Sequence, residues 1–212
     1  MPKLKKAKKE EWLKKFLLEQ EGGYAPLHDD GLGIQTYGPG FNLQTPGMKE
    51  RLQKAGIDTA SPQVDPVKID PIFSEIIKEK QKQLLSKLKS GAPGAALTPE
   101  KQEALTSMYY NHGNLIGPNL LKALDTNDDD AAIREIISNS NKHNLGHIQM
   151  RRVGEAMRFN PEATKRYMQS ISPEEQTRIR GIVENNSVGA DKETRLKALE
   201  ELMKRQELAG LE

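Results

Sequence analysis

The chain has 212 residues, with 32 Lys plus Arg against 30 Asp plus Glu and a formal charge of +2. It is long enough for one full domain, or one domain with an appendage, and is near neutral overall. With 0 Cys it has no disulfide scaffold and no zinc-thiolate site, its 4 His exclude a rich metal cluster, and no run of about 18 apolar residues offers a transmembrane helix.

Residues 1–15 hold seven lysines against Glu10 and Glu11. Such an arm can attract an anionic polymer or surface, or be a plain solvated terminus. Its apolar stretch is too short and too broken for a standard secretion signal, so delivery beyond the cytoplasm needs another route. Trp12, Leu13, Phe16 and Leu17 recur at one-turn spacing and predict a helix over about 10–21, stopped by Gly22-Gly23. Glycine and proline are then dense through residue 44. The Asp30-Gly31 pair predicts a twisted antiparallel hairpin over 24–43 with a tight following loop.

A short helix is expected over about 47–54, followed by a connector with Pro62, Pro66 and Pro71. Ile72, Phe73, Ile76, Ile77, Leu84, Leu85 and Leu88 predict a long helix over about 72–89. Thr98-Pro99 caps the next helix, and short helices are expected from Pro118 to 124 and over 129–137. Another is expected over 147–158, ending at Asn160-Pro161. Ser172-Pro173-Glu174-Glu175 opens a further one, and a last charged helix spans about 191–208. The fold class is α+β, with one small sheet near the start and a dominant helical lobe.

The chemistry-bearing stretch runs from Glu21 to Phe41. Glu21 ends a helix, Asp30 sits at the hairpin turn and Thr36 lies on the returning strand. Two carboxylates and a hydroxyl around one cleft are the parts glycoside hydrolysis needs. One carboxyl protonates the leaving oxygen and the other activates water or stabilises charge on the sugar. Acidic residues at helix ends and turns are also common for structural reasons alone.

The spacing carries more. Asp30 and Thr36 follow Glu21 by nine and fifteen positions, and Thr36-Tyr37-Gly38-Pro39-Gly40 makes a Thr-x-Gly-x-Gly run. This pattern resembles the active-site signature of phage-type lysozymes, glycoside hydrolase family 24. The stretch from Ala104 to Gly113 resembles the family's central helix, with Ala-Leu-x-Ser, aromatic and Asn-x-Gly elements. Leu145-Gly146 with Arg151-Arg152-x-x-Glu155 resembles its late helix. The resemblance covers about 10–160, with an insertion-like stretch over 57–97, and Pro39 stands where the family usually has a bulky residue.

The resemblance implies a small N-terminal hairpin lobe and a larger all-helical lobe joined by a long helix. It divides the chain into a basic arm (1–9), a lysozyme-like catalytic domain (10–164) and a C-terminal helical extension (165–210). Within the catalytic domain the hairpin lobe is about 24–56, the connector 57–71 and the helical lobe 72–164. It implies a muramidase that cleaves the β-1,4 bond between N-acetylmuramic acid and N-acetylglucosamine with inversion. Glu21 would be the general acid, and Asp30 and Thr36 would position the water. Inversion calls for a carboxyl separation of about 6.5–9.5 Å. Asp30 fits the spacing where the adjacent Asp29 does not.

Asn111 would bind substrate or tie helix to hairpin. Arg151 and Arg152 would include a partner for Glu21, or form an intrahelical pair with Glu155. Gly38 and Gly40 would allow close approach to the sugar or simply make a tight turn. No metal or organic cofactor is expected. The expected partner is bacterial peptidoglycan, with a virion or secretion apparatus as docking partner for the extension. No nucleic acid and no stable membrane insertion are expected. The protein would act at the cell wall after holin release, virion delivery or export as an effector. Competing readings are a lytic transglycosylase using Glu21, an inactive wall-binding or structural virion protein, and nucleic-acid binding through 1–15.

Overall fold

The computed structural model describes residues 12–29, 33–139 and 147–186, together with Lys197. The basic arm 1–9, Asp30 and, but for Lys197, the expected helix over 191–208 lie outside the described residues. Among the described residues no helix is long and apolar enough to cross a membrane.

Helix α1 covers residues 12–20. Leu13 and Leu17 on it are buried, and Trp12 stacks on Phe16 with ring centroids 4.8 Å apart. It closes as sequence patterning expects. Gly22 takes φ 76°, and the Gly23 N–H donates to Leu18 O at 2.8 Å, the six-to-one bond of a Schellman turn.

The chain then forms a three-stranded antiparallel sheet of β1 (Ala25–Asp29), β2 (Gln35–Gly38) and β3 (Phe41–Asn42), in the order β1-β2-β3. The two-stranded hairpin expected over 24–43 therefore has a third strand within its span. A turn explains it: Gly40 N–H donates to Gly38 O at 2.9 Å, reversing the chain within three residues. Phe41 then pairs with Tyr37, and Asn42 with Thr36. Between β1 and β2, His28 pairs with Thr36 and Asp29 with Gln35, and the register shifts between Ala25 and His28.

Helix α2 (Met48–Lys54) follows, as expected, and α3 runs over Pro66–Gly91. The long helix thus begins before the expected residue 72 and takes Pro66 and Pro71 into itself. Asp65 makes the earlier start possible. Its carboxylate accepts from Val67 N–H and its carbonyl from Lys68 and Ile69 N–H, while Pro66 needs no donor partner at the first position. Pro71 removes one helical bond, a cost of about 3 kcal/mol in a helix interior. The buried Ile69, Ile72 and Phe73 around it offset that cost.

The chain divides into two compact units, residues 1–82 and 83–212, and α3 runs through the division. In the first unit, Phe41 meets Phe73 of α3 at a centroid distance of 6.3 Å. Arg51 of α2 pairs with Glu75 and Glu79 of α3.

The second unit is helical: α4 (Pro99–Asn111), α5 (Pro118–Asp125), α6 (Asp129–Arg134), α7 (His147–Phe159), α8 (Pro161–Ser170) and α9 (Pro173–Asn186). The helix expected over 129–137 turns at Glu135 into a π-helical stretch, Glu135–Asn139. Side-chain caps start several helices: Thr98 accepts from Lys101 N–H, Asp128 from Ala131 N–H and Asn160 from Ala163 N–H. Asn160-Pro161 therefore ends one helix and begins another, α8, which periodicity alone did not reveal. The expected boundary at 164/165 falls inside α8. Met168 of α8 and Ile179 of α9 share one core with Leu88, Leu105, Met108, Ile133 and Phe159.

The chain is thus α+β, with a small N-terminal three-stranded antiparallel sheet and a larger helical region.

Candidate functional site

In the first unit, Glu21 lies in the turn just after α1, its N–H donating to Leu17 O at 2.9 Å. Its side chain is half-buried and lies directly over the Gly38-Pro39-Gly40 turn. A Cβ built on Gly40 would stand 2.5 Å from Glu21 Oε2 and 3.1 Å from its Cδ. Gly40 also takes φ 78°, which L side chains rarely adopt. The backbone conformation favours glycine there, and any side chain would displace the Glu21 carboxylate. The close approach anticipated for this glycine is made by the Glu21 carboxylate itself.

Asp70 of α3 fixes the turn that carries Glu21. Lys14 Nζ donates to Asp70 Oδ2 at 2.5 Å and the Tyr24 hydroxyl to Asp70 Oδ1 at 2.6 Å. One carboxylate therefore holds the chain on both sides of Glu21. Burial alone would raise the Asp70 carboxyl, but the bonds from Lys14 and Tyr24 and the Lys14 charge bring it below its ordinary value. Burial, then the Asp70 bond and charge, push the Tyr24 phenol up to about 12. A lowered carboxyl contributes stability above its unfolded value and loses it as pH falls through its folded value. A raised phenol contributes below its ordinary value of 10 and loses it as pH rises toward about 12. Asp70→Asn should cost about 1 kcal/mol at neutral pH, since the Lys14 pair is partly solvent-screened. The loss should shrink at acid pH, where the wild-type carboxyl is also neutral. Thermal melts across pH check both statements.

Thr36 is 9 % exposed, and its Oγ1 donates to Ile34 O over a long 3.4 Å. Directly paired residues of an antiparallel sheet share a face, so His28, Thr36 and Asn42 form one polar row across the three strands. Register, which the sequence pattern did not supply, is what adds His28 and Asn42 to Thr36. His28 Nδ1 is the donor to Pro26 O at 2.8 Å, because a carbonyl can only accept. Asp29 Oδ1 accepts from Gly33 N–H at 3.1 Å.

Asn111 belongs to the second unit, at the end of α4. Its Oδ1 accepts from Arg152 Nη2 at 3.0 Å. Arg152 and Glu155, each with a fully buried side chain, form an ion pair. Arg151 Nε reaches Glu155 Oε1 at 3.2 Å, the Ser107 hydroxyl donates to the same oxygen at 2.6 Å, and Arg151 Nη2 donates to Ser107 O at 3.0 Å. The intrahelical pairing with Glu155 is thus present for both arginines. Burial pulls the Arg152 guanidinium below its ordinary value despite the Glu155 charge, and Arg151 adds to the lowering. The spacing of Arg-Arg-x-x-Glu hinted at this network. Ser107 as its fourth member is not legible without the packing of α4 on α7.

Among the described residues, no group of three or more His, Asp and Glu is arranged to hold a metal ion. Comparison with protein-family models, curated proteins and solved structures finds no match.

Proposed function

We propose that the chain is a peptidoglycan hydrolase of the muramidase type, with the two-lobe fold of a phage-type lysozyme. The observation that carries this reading is the contact between Glu21 and Gly40. Two members of the spaced signature, nineteen residues apart, meet at a carboxylate, and the glycine between strands β2 and β3 is what lets them meet. The spacing of Asp30 and Thr36 supports it further.

On this reading Glu21 protonates the glycosidic oxygen as the bond to the muramic C1 breaks. A water attacks C1 from the opposite face and gives its proton to the Asp30 carboxylate. The Thr36 hydroxyl spends its proton on Ile34 O, so its oxygen is left to accept from that water and aim the water's lone pair. In the second unit, Asn111 Oδ1 is held by Arg152, which leaves its Nδ2 as the group able to donate. Residues in these roles favour hydrolysis over transglycosylation, which needs no positioned water. The partner is the bacterial wall, reached by holin release, virion delivery or export.

The test is wall-lysing turnover by wild type and Glu21→Gln at matched thermal stability. Gln keeps the shape and cannot donate a proton to the leaving oxygen. Turnover should fall by at least about a hundredfold, the lower end of general acid catalysis. A Glu21→Gln protein as active as wild type would overturn the assignment.

A further inference from the structure

The connector after α2 has no part in the hydrolysis described above, yet it builds a cavity within the first unit. The cavity is about 390 Å³ and is lined by Tyr37, Ile57, Asp58, Ser61, Asp65 and Lys68 among others. That volume suits a small ligand or a single side chain. Tyr37 and Ile57 are buried and make its floor, while Asp58, Asp65 and Lys68 are exposed at its rim. Successive strand residues point to opposite faces, so Tyr37 and this cavity lie on the sheet face opposite the His28–Thr36–Asn42 row.

The polar groups of the cavity are unequally occupied. Lys68 Nζ is held by Gly56 O at 3.2 Å. Asp58 Oδ1 accepts from Ala60 N–H and Asp65 Oδ1 from Val67 N–H, which fixes both carboxylates in orientation. Tyr37 is different. It is only 1 % exposed, and among the described residues its hydroxyl has no hydrogen-bond partner. Its oxygen opens to the cavity, so whatever enters there, water or ligand, is what satisfies it. Here the phenol faces a cavity whose carboxylates act on it electrostatically. A ligand that satisfies it must therefore bring a donor or an acceptor into a site with two carboxylates and one ammonium already tied to the backbone.

We propose that this cavity is a binding site for a primary ammonium group carried on an alkyl arm, such as a lysine-type side chain. The ammonium has three donors, and the site offers three acceptors of the right kind: the phenol oxygen and the second oxygen of each carboxylate. The alkyl arm lies on Ile57 and the Tyr37 ring. The site stands independently of the hydrolase reading, because none of its residues belongs to that machinery.

The experiment is a titration of the full ¹⁵N-labelled chain with Nα-acetyl-lysine N-methylamide, followed by backbone amide shifts. Saturable shifts are expected at Tyr37 and along the loop from Ile57 to Asp65. The Nε-acetylated form of the same probe should bind about tenfold more weakly or not at all, since it has lost the charge. Asp58→Asn with Asp65→Asn should weaken binding by a similar factor, and Asn still caps α3. Tyr37→Phe should weaken it about threefold with the melting curve retained. The proposal fails if the lysine probe gives no saturable shifts, or if its Nε-acetylated form binds equally well. It also fails if the double variant, folded, binds as wild type does, or if calcium chloride saturates these amides while the lysine probe does not.

Discussion

Gly40→Ala should lower wall-lysing turnover by about a hundredfold or more while the helical unit keeps its melting transition. Two effects combine at this position. Residue 40 takes φ 78°, where an L side chain costs roughly 1–2 kcal/mol, and the new methyl would stand 2.5 Å from Glu21 Oε2. Atoms cannot share that space, so the carboxylate must swing away from the turn. Displacement by about 1 Å is enough to lose two orders of magnitude at a reacting centre. Gly22→Ala is the matching control. Its φ is 76°, close to that of Gly40, but a Cβ there meets nothing within 4 Å. It should carry the strain without the collision, losing similar stability and keeping most of its activity. Equal activity loss in the two variants would show that strain, and not the seat of Glu21, sets the effect.

Glu155→Ala should lower stability by about 3–5 kcal/mol. The reason lies in what remains. Arg152 is fully buried and Arg151 is 4 % exposed. Without Glu155 the Arg152 guanidinium stays in the protein interior without the carboxylate it pairs with, Arg151 loses its Glu155 bond, and the Ser107 hydroxyl loses its acceptor. Arg152 Nε is already buried without a hydrogen bond, so the site has no slack for a further loss. For a chain of this length the change should lower the melting temperature by roughly 10 °C or more. Glu155→Gln keeps a hydrogen-bond acceptor and should lose less. Calorimetry of both variants checks the order. A loss under about 1 kcal/mol for the alanine variant would contradict the account of the network.

Local signals in the sequence carried much of this. One-turn spacing of Leu13 and Leu17 and the glycine pair after Glu21 are enough to predict α1 and its end, because both are properties of neighbouring residues. The caps at Thr98 and Asp128 are local in the same way. What was not legible depends on residues far apart in the chain. Asp70 holds Lys14 and Tyr24 across 56 and 46 positions, and nothing around any of the three announces it. The third strand hides because Phe41-Asn42 is too short to show alternation. The early start of α3 hides because Pro66 and Pro71 read as a connector until Asp65 is seen to cap the helix. In α8, Asn160-Pro161 reads as a stop signal, although the same pair is an equally good start.

For the candidate site, the spacing of Glu21, Asp30 and Thr36 was visible in the sequence, and the seat of Glu21 on Gly40 was not. Thr-x-Gly-x-Gly says that a turn is tight. Only coordinates say which side chain lies against it.

On the proposed reading the chain cuts the muramic glycosidic bond with water. The most direct test digests purified peptidoglycan with the wild-type protein, reduces the products with borohydride and resolves them by mass. Reduced N-acetylmuramic acid at the new chain ends is the result expected of a muramidase. Anhydro-muramic ends, reduced N-acetylglucosamine ends or an undigested wall would contradict it.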